Sequence, residues 1–523
     1  MKRSIKENKA MPERTSQDVS VELKSFNKLA SAEFPLALDT YQRAYVWGED
    51  EIHQLLTDLS SFVQPPVIRK YQQETYYMGT LLMHADVQDN RLCVIDGQQR
   101  LTSLAILYWL LANELPAFIQ FEFRSSRSLA NIQQAKDVIG QWLEKHNINR
   151  SVLLSIFSRL QFTVISVTKE DLAFTFFDTQ NNRGVPLGST DLLKAYHLRA
   201  INGVDDQLDE LLQSHCATRW EAVQMYGKGV NTSKKHDFAP ELFHYYLWRS
   251  RNWTGNQVVE LESKDEMLNH FGKRTKHTSN GEVALYPAGQ NQWGQTLHLT
   301  PENDFHLSPS PQHFGAQASS LPFALRQPVS KGAGFFLYAE KYAAMLNILF
   351  YTPSLTPEIR SMQIFYEKVV LSLSHYLQSL FRLCVLVYFD RLGSQGLLRF
   401  VLWLDHRLGA IRLSQADIRR ETPLKFLRDA KRNLLDVIAY AYEGDDVIHF
   451  LSQENVSKTY QLHNGWKKEI DNARLVQERY ASSVAKYYDL NQLTTKTPEF
   501  IDVFAKQKLA ELNTAKNKDV IYG

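Results

Sequence analysis

LCVIDGQQRLTSLAILYWLL, Leu92–Leu111, is the stretch that decides the fold of the first part of the chain. Its first residues are apolar and typical of a buried strand, and its last residues form an apolar run typical of a buried helix. Between them lies the polar pentapeptide DGQQR (Asp96–Arg100), which contains the Asp-Gly pair common in turns. The stretch therefore predicts a strand that ends at Ile95, a tight turn, and a helix that begins near Leu101.

The polar turn would lie at the N-terminus of this helix, where backbone N–H groups lack partners and the helix dipole favours anions. Gly97 permits a left-handed backbone or close approach of a ligand, and Arg100 can bind a phosphate through two parallel hydrogen bonds. Asp96 can cap the helix, hold a metal ion or position water, while Gln98 and Gln99 can both donate and accept. A plain turn with exposed polar side chains explains the same residues, so this stretch alone leaves both interpretations open.

A second polar stretch, YQRAYVW, contains Gln42 and Arg43, followed by Tyr45 and Trp47. Aromatic rings beside an arginine can form a stacking platform for a nucleic-acid base. Packing of the two rings in the core is the alternative.

A third polar stretch, NNRGVPLGSTDLLKA, begins at Asn181 and includes Gly184. It predicts a polar loop between two helices, with Ser189 or Thr190 capping the second helix. Asp191 and Lys194 lie three residues apart and therefore share a face of that helix. A capped helix with a local ion pair is a sufficient explanation for this stretch by itself.

The chain has 523 residues, of which 44% are hydrophobic and 22% charged, a globular composition whose length predicts about two to four domains. The formal net charge is +2, so DNA binding would need a local basic patch. Cys93, Cys216 and Cys384 are too widely spaced in sequence for a metal knuckle or a disulfide framework. The polar first residues and the absence of a long apolar run predict a cytoplasmic protein without a membrane segment.

The expected fold class is α+β, with an N-terminal mixed α/β domain followed by a mainly α-helical C-terminal half. The runs TYYMGTLLMHAD and NRLCVIDG are expected to pair as neighbouring strands, and SRLQFTVISV to form a third. A capping box is expected at Thr168 and Asp171. The predicted organisation is a flexible arm (1–20), the mixed domain (21–200), a helical extension (201–275), a long loop or insertion (276–330) and a helical domain (331–523).

Other chemical signals are weak, since GxxxxGK[ST], GxGxxG, HExxH and CxxC motifs do not occur. His236 and His244 lie near aromatic residues, where a core or surface role is the expected one. Two basic clusters, GKRTKH and RRETPLKFLRDAKR, are candidate DNA contacts, although a solvated helix face is the favoured explanation for each. The candidate DNA-binding residues in these clusters are Lys273, Arg274, Arg419 and Arg420.

The order of the three polar stretches closely resembles a widespread prokaryotic family. YQRxYVW, then DGQQRLTSL after a strand, then NNRGxPLxxxDLLKA are found in the specificity half of GmrSD-type, modification-dependent (type IV) restriction enzymes. That domain looks related to the ParB and sulfiredoxin superfamily, and the resemblance covers about residues 21–200. A further segment, PFALRQPVSKGAGFFLYAEKY (residues 322–342), is similar to one in longer members.

The resemblance implies a nucleotide-binding and hydrolysing site. Asp96, Gln98, Gln99 and Arg100 would be catalytic, with Asp96 also a ligand of Mg²⁺, and the nucleotide would be GTP or ATP. In such systems, nucleotide hydrolysis is coupled to the recognition of modified or foreign DNA in anti-phage defence. The residues implied to bind the nucleotide are Gln42, Arg43, Tyr45, Trp47, Gly97, Thr102, Asn181, Gly184, Asp191 and Lys194.

One departure from the family concerns the nuclease. Complete members carry a C-terminal HNH domain with a His-Ile-x-Pro-like motif and a later Asn, whereas HNGW (His463–Trp466) lacks the surrounding motif. The resemblance and this departure together imply a sensor and NTPase subunit that acts with a separately encoded HNH nuclease. Assembly as a homo-oligomer is a further expectation. A nucleotide-gated DNA-binding module with little turnover and a DNA endonuclease in its own right are the alternatives.

Overall fold

A computed structural model of the protein divides the chain into two compact units, residues 1–187 and 188–523. The first unit is a mixed sheet with helices, and the second is mainly helical, so the predicted α+β class is confirmed. The structure describes residues 19–38, 44–63, 75–86, 90–123, 126–146, 149–168, 188–201, 206–227, 237–261, 263–273, 283, 285–286, 295–299, 305–309, 317–415, 417–454, 456–462 and 476–521.

The described part of the first unit is built on a six-stranded sheet. Its strands are β1 (Val19–Ser25), β2 (Leu36–Ala37), β3 (Tyr76–Asp86), β4 (Arg91–Asp96), β5 (Ile119–Gln120) and β6 (Leu160–Val167). Its helices are α1 (Glu49–Val63), α2 (Gln98–Ala112), α3 (Ser126–His146) and α4 (Arg150–Ser155). The strand order is β1-β6-β3-β4-β2-β5.

The predicted pairing of β3 with β4 is confirmed as an antiparallel ladder in which Leu82 lies opposite Asp96. The third predicted strand, β6, pairs with β3 in parallel and with β1 antiparallel. Every residue of α2 from Leu101 to Leu107 is buried, as expected for an apolar helix at the centre of a domain.

The turn between β4 and α2 is tighter than the sequence predicts. The strand continues to Asp96, the helix begins at Gln98, and Gly97 alone joins them with a left-handed backbone, φ 96°. A Cβ atom at Gly97 would lie 2.3 Å from Cδ2 of Leu81, so only glycine fits here. Because one residue makes the turn, both glutamines of DGQQR belong to the helix and are buried rather than exposed.

The second unit is described as a set of helices with one small β-ladder. The ladder pairs β7 (Gln295–Leu299) antiparallel with β8 (Phe305–Pro309), inside the stretch expected to be a long loop. The first helices are α5 (Ser189–Arg199), α6 (Asp206–Met225), α7 (Ala239–Glu241, π-helical Leu242–Leu247 and Trp248–Asn252) and α8 (Lys264–Leu268, followed by π-helical Asn269–Lys273). Then follow α9 (Ala333–Phe350), α10 (Pro357–Lys368), α11 (His375–Leu392), α12 (Leu397–Ser414), α13 (Glu421–Arg428), α14 (Leu434–Tyr440), α15 (Gly444–Ser452), α16 (Ser457–Leu462), α17 (Val476–Tyr488) and α18 (Pro498–Ile521).

Helix α12 is the centre of this unit, because it packs against α10, α11, α15, α16, α17 and α18. It carries Asp405, whose carboxylate lies 2.6 Å from Nζ of Lys496 and accepts a hydrogen bond from Tyr480 at 3.0 Å. Both charged groups are fully buried, where an unpaired charge would cost several kcal/mol. A second buried pair, Lys341 with Asp390 at 3.0 Å, joins α9 to α11.

Two further features bear on the sequence predictions. Cys93, Cys216 and Cys384 are buried thiols. Among the described helices, none combines the length and apolar character needed to cross a membrane.

His197 is a buried neutral histidine on α5. The backbone N–H of Gly332 donates to its Nδ1 (3.2 Å), so Nε2 carries the proton and donates to the carbonyl of Phe271 (2.8 Å). The ring stacks on Phe335 with centroids 3.8 Å apart. Burial lowers the pKa of His197 to about 3, so the folded protein cannot protonate this ring at mildly acidic pH.

We expect this histidine to destabilise the protein as the pH falls below 6.5, the pKa of an unshifted histidine. The unfolded chain then takes up a proton that the folded chain does not, so the free energy of unfolding falls by about 1.4 kcal/mol between about pH 7.5 and about pH 5.5. Urea unfolding at both pH values gives the free energy of unfolding of wild type and of His197→Asn. The difference between the two proteins should change with pH by the contribution of this histidine. A difference that does not change with pH would contradict the assignment.

Candidate functional site

The N-terminus of α2 is a positive helix end without a side-chain cap. The first helical hydrogen bond runs from Leu101 N–H to the carbonyl of Gly97 (3.0 Å), so the amides of Gln98, Gln99 and Arg100 have no partner within the helix. Gly97 supplies no side chain and the first turn holds no acidic residue. Three amides without a partner in the helix and the helix dipole make this end suited to an anion.

Arg100 lies across β3 in a space left by a glycine. Gly79 has φ 101°, at an irregularity in the pairing of β3 with β6, and a Cβ atom there would lie 2.7 Å from Nη1 of Arg100. Nη1 donates a long hydrogen bond of 3.5 Å to the carbonyl of Thr80. Burial lowers the pKa of Arg100, and the charge of Asp96 opposes this shift; the guanidinium stays cationic at neutral pH because an arginine titrates so high.

A hydroxyl cluster lies next to this guanidinium and was not predicted from the sequence. The hydroxyl of Tyr77 lies 3.0 Å from that of Thr163 and 3.5 Å from that of Thr80. These hydrogen bonds, the one with Thr163 foremost, lower the pKa of Tyr77, and the positive charge of Arg100 adds to the effect. The available signal was Gly79, because a glycine inside a strand marks a bulge or a close approach.

Gln99 holds the backbone of the second polar stretch. Its Oε1 accepts hydrogen bonds from Val46 N–H (2.7 Å) and Trp47 N–H (3.3 Å), and its Nε2 donates to the carbonyl of Ala44 (3.1 Å). Both the oxygen and the nitrogen of this amide are therefore engaged within the protein. These contacts support a positioning role for Gln99, and its expected catalytic role stays a prediction.

Gln98 is in the opposite situation. Gln98 is 5% exposed, and its Oε1 has no hydrogen-bond partner among the described residues. One turn later, Thr102 is 2% exposed, and its Oγ1 also has no partner among them. Each buried polar atom left without a partner costs about 1–3 kcal/mol. Such atoms call for an explanation, usually a bound water or ligand, so Gln98 is the glutamine of DGQQR that is available for one.

Tyr45 belongs to the core. Its side chain is fully buried, its hydroxyl lies 2.8 Å from that of Ser103, and its carbonyl accepts from Asn131. Burial raises the pKa of Tyr45 to about 12. The ring has no face open to a base, which overrides the stacking role expected from the sequence, whereas Trp47 is only partly buried against the core.

The third polar stretch is described only in part. Asp191 and Lys194 lie on α5, in the second unit. The carboxylate of Asp191 accepts a hydrogen bond from Gly188 N–H (3.1 Å), so Asp191 caps this helix in place of the expected Ser189 or Thr190. Lys194 is buried, which lowers its pKa, and the charge of Glu221 opposes this shift.

Several predicted residues lie outside the described part of the chain, and the DNA-contact candidates are placed as follows. Arg419 and Arg420 are exposed just before α13, and Lys273 is the last residue of the π-helical turn after α8. Outside the described residues are Gln42, Arg43, Asp171, Asn181, Gly184, His236, Arg274 and His463–Trp466.

The DGQQR turn offers few side chains that could bind a metal ion. Among the described residues, no three or more His, Cys, Asp or Glu side chains lie together in a way that could hold a metal ion. Within the same residues, the Asp96 carboxylate is the one acidic group of the DGQQR turn. Mg²⁺ needs only one or two carboxylates when phosphates and water supply its other ligands, so Asp96 fits that role only together with a nucleotide.

Two parts of the chain match known protein families. Residues 24–198 match the GmrSD restriction endonuclease N-terminal domain. The match includes Asp96–Arg100, Thr102 and the cluster around Tyr77, and it supports the resemblance drawn from the motifs; the relation to ParB and sulfiredoxin stays a prediction. Residues 212–468 match a family of unknown function, DUF7834. No curated protein matches the chain.

The two adjacent glutamines should respond differently to the same substitution. Gln99→Met removes the acceptor of two amides, so we expect hydrogen exchange at Val46 and Trp47 to accelerate about fivefold, because each such bond contributes about 1 kcal/mol. Gln98→Met removes an atom without a partner and should leave exchange at both amides unchanged. Equal effects of the two variants would show that Gln99 does not hold this segment.

Proposed function

We propose that the chain is the NTP-binding and NTP-hydrolysing sensor subunit of a type IV-like restriction system that acts against phage or other foreign DNA. The match to the GmrSD N-terminal domain supports a role in a restriction system. The observation that carries the nucleotide assignment is the N-terminus of α2. There, three amides without helical partners lie beside the cationic Arg100.

In this proposal the amides of Gln98, Gln99 and Arg100 bind phosphate oxygens, and the guanidinium of Arg100 counters their charge. Oε1 of Gln98 accepts a hydrogen bond from water, which gives its buried oxygen the partner that it lacks. Asp96 orients water or holds Mg²⁺, and this ion would supply charge neutralisation at the phosphates. Gln99 fixes residues 44–47, which directly follow Gln42 and Arg43 in the sequence.

Recognition of modified or foreign DNA and cutting by a separately encoded HNH nuclease complete the proposal. Nucleotide hydrolysis can be catalysed by well-placed hydrogen-bond donors and charges, so it needs no further catalytic domain in this chain. DNA cleavage would then be the task of the separate nuclease. In this proposal the nucleotide is GTP or ATP.

Arg100→Ala should reduce nucleotide hydrolysis about a hundredfold or more, because it removes a charge that stabilises the transition state. The assay is phosphate release from ATP, GTP, CTP and UTP, each with no DNA, with plain DNA and with modified DNA. Arg91→Ala is the matched control, since Arg91 lies on β4 and pairs with Asp86 at 3.2 Å. Hydrolysis by Arg100→Ala at the wild-type rate would refute the proposal, and nucleotide binding without turnover would favour the nucleotide-gated switch.

Gly79→Ala tests the placement of the guanidinium while keeping the arginine. The new Cβ would displace Nη1 of Arg100, so we expect kcat to fall about tenfold or more, as misplaced catalytic groups lose rate steeply. Stability should fall by about 1–2 kcal/mol because of the left-handed backbone. Gly140→Ala on α3, where a Cβ meets nothing within 4 Å, should leave hydrolysis unchanged; an active Gly79→Ala would show that the position of Arg100 is unimportant.

A further inference from the structure

The second unit contains a pocket of about 430 Å³ that the proposed hydrolysis does not use. It lies among the π-helical part of α7, the start of α11 and the residues just before and within α13. Its volume falls in the range of about 300–1,000 Å³ that is usual for small-molecule sites. The lining residues that the structure describes all belong to the second unit and to the DUF7834 match.

The pocket has an excess of positive charge. Arg249 binds one oxygen of the Glu260 carboxylate (3.1 Å) and Arg420 binds the other (3.2 Å), so two cations share one anion. Helix α11 begins at the pocket with His375 and Tyr376 and has no acidic residue in its first turn. Its N-terminal dipole therefore adds to the positive charge, and the pocket favours an anionic group.

Arg420 can exchange partners. Its side chain is 64% exposed, and Glu260 is its one ion-pair partner among the described residues. An exposed ion pair of this kind contributes little to stability. A phosphate can therefore replace Glu260 as the partner of the Arg420 guanidinium with little loss of stability, because Glu260 keeps its ion pair with Arg249.

Aromatic rings flank the same pocket and are open to solvent. Tyr245 is 44% exposed and Tyr376 is 41% exposed. The guanidinium of Arg249 lies 4.7 Å from the ring centroids of both Tyr245 and Trp253. These contacts hold the two rings in place at the pocket. Exposed rings beside cations are the usual surface for stacking a base whose phosphate is bound nearby.

The backbone that carries His244 and Tyr245 is π-helical, from Leu242 to Leu247. π-helical turns are rare and occur frequently at functional sites, since they turn side chains away from the regular helical positions. Burial and the charge of Arg249 lower the pKa of His244. The ring is therefore neutral at physiological pH and offers one donor and one acceptor to the edge of a base.

An ion cluster that only ties α7 to the chain before α13 would explain the arginines and Glu260. It would not explain two exposed tyrosine rings, a π-helical turn and a helix N-terminus around one open pocket. We propose that this pocket binds one nucleotide, with the base stacked on Tyr376 or Tyr245 and the phosphate held by Arg420 at the N-terminus of α11. The site stands whether or not the first unit hydrolyses nucleotide, and its ligand is a free nucleotide or a nucleotide within single-stranded DNA.

The experiment measures binding to the full-length chain at low salt. The probes are the four 2′-deoxynucleoside 5′-monophosphates by calorimetry and a short fluorescent single-stranded DNA by anisotropy. Tyr376→Ala and Arg420→Ala should each weaken binding about tenfold or more, as expected for the loss of one stacked ring or one phosphate contact. Matched controls are Tyr440→Ala, at an exposed tyrosine outside the pocket, and Arg479→Ala, at an exposed arginine on α17; both should bind as wild type does.

The probes separate the two sources of the ligand. Monophosphate binding that both pocket variants lose identifies a free nucleotide, and single-stranded DNA binding alone, lost in the same variants, identifies a nucleotide in a strand. Binding of neither probe, or binding that Tyr376→Ala and Arg420→Ala leave intact, overturns the proposal. Repeating the titrations with Arg100→Ala excludes the α2 site as the source of the signal, and this variant should retain pocket binding. Failure of hydrolysis and failure of the pocket are therefore distinguishable.

Discussion

The left-handed backbone at Gly97 is the constraint on which the first unit depends. Because a single residue turns β4 into α2, and because Leu81 leaves no room for a side chain there, the direction of the helix is determined by the strand. Successive side chains on a helix point ~100° apart. Gln98, Gln99 and Arg100 consequently enter three environments: a buried face without partners, the backbone of residues 44–47, and the surface of β3.

Much of this unit is predictable from the sequence pattern. The apolar runs identify β3, β4, β6 and α2, and the pairing of β3 with β4 follows from their short connection. The environments of the glutamines are not predictable in this way. Gln98 and Gln99 are chemically identical neighbours, and only the packing of residues 44–47 over the helix distinguishes the one that is satisfied from the one that is not.

The role of Gly79 is also not predictable from the sequence, because its contact with Arg100 depends on how β3 lies relative to the start of α2. Tyr45 and Trp47 show the same limit, because both are aromatic residues in one short stretch but only Tyr45 is fully buried.

In the second unit, the basic cluster near α13 is partly neutralised by acidic side chains close to it. Arg428 pairs with Glu421 at 2.7 Å, so positive residues that look equivalent in sequence differ in their availability.

The π-helical turn of α7 has a consequence for how this unit varies among related proteins. A π turn accommodates one residue more than an α turn, so deletion of a single residue between Ala239 and Trp248 would restore a regular α-helix without breaking the chain's path. The same deletion would rotate His244 and Tyr245 by ~100° relative to the residues after them. In an alignment of homologues, the number of residues in this helix would therefore distinguish proteins that have the pocket from proteins that share only the helical fold of this unit.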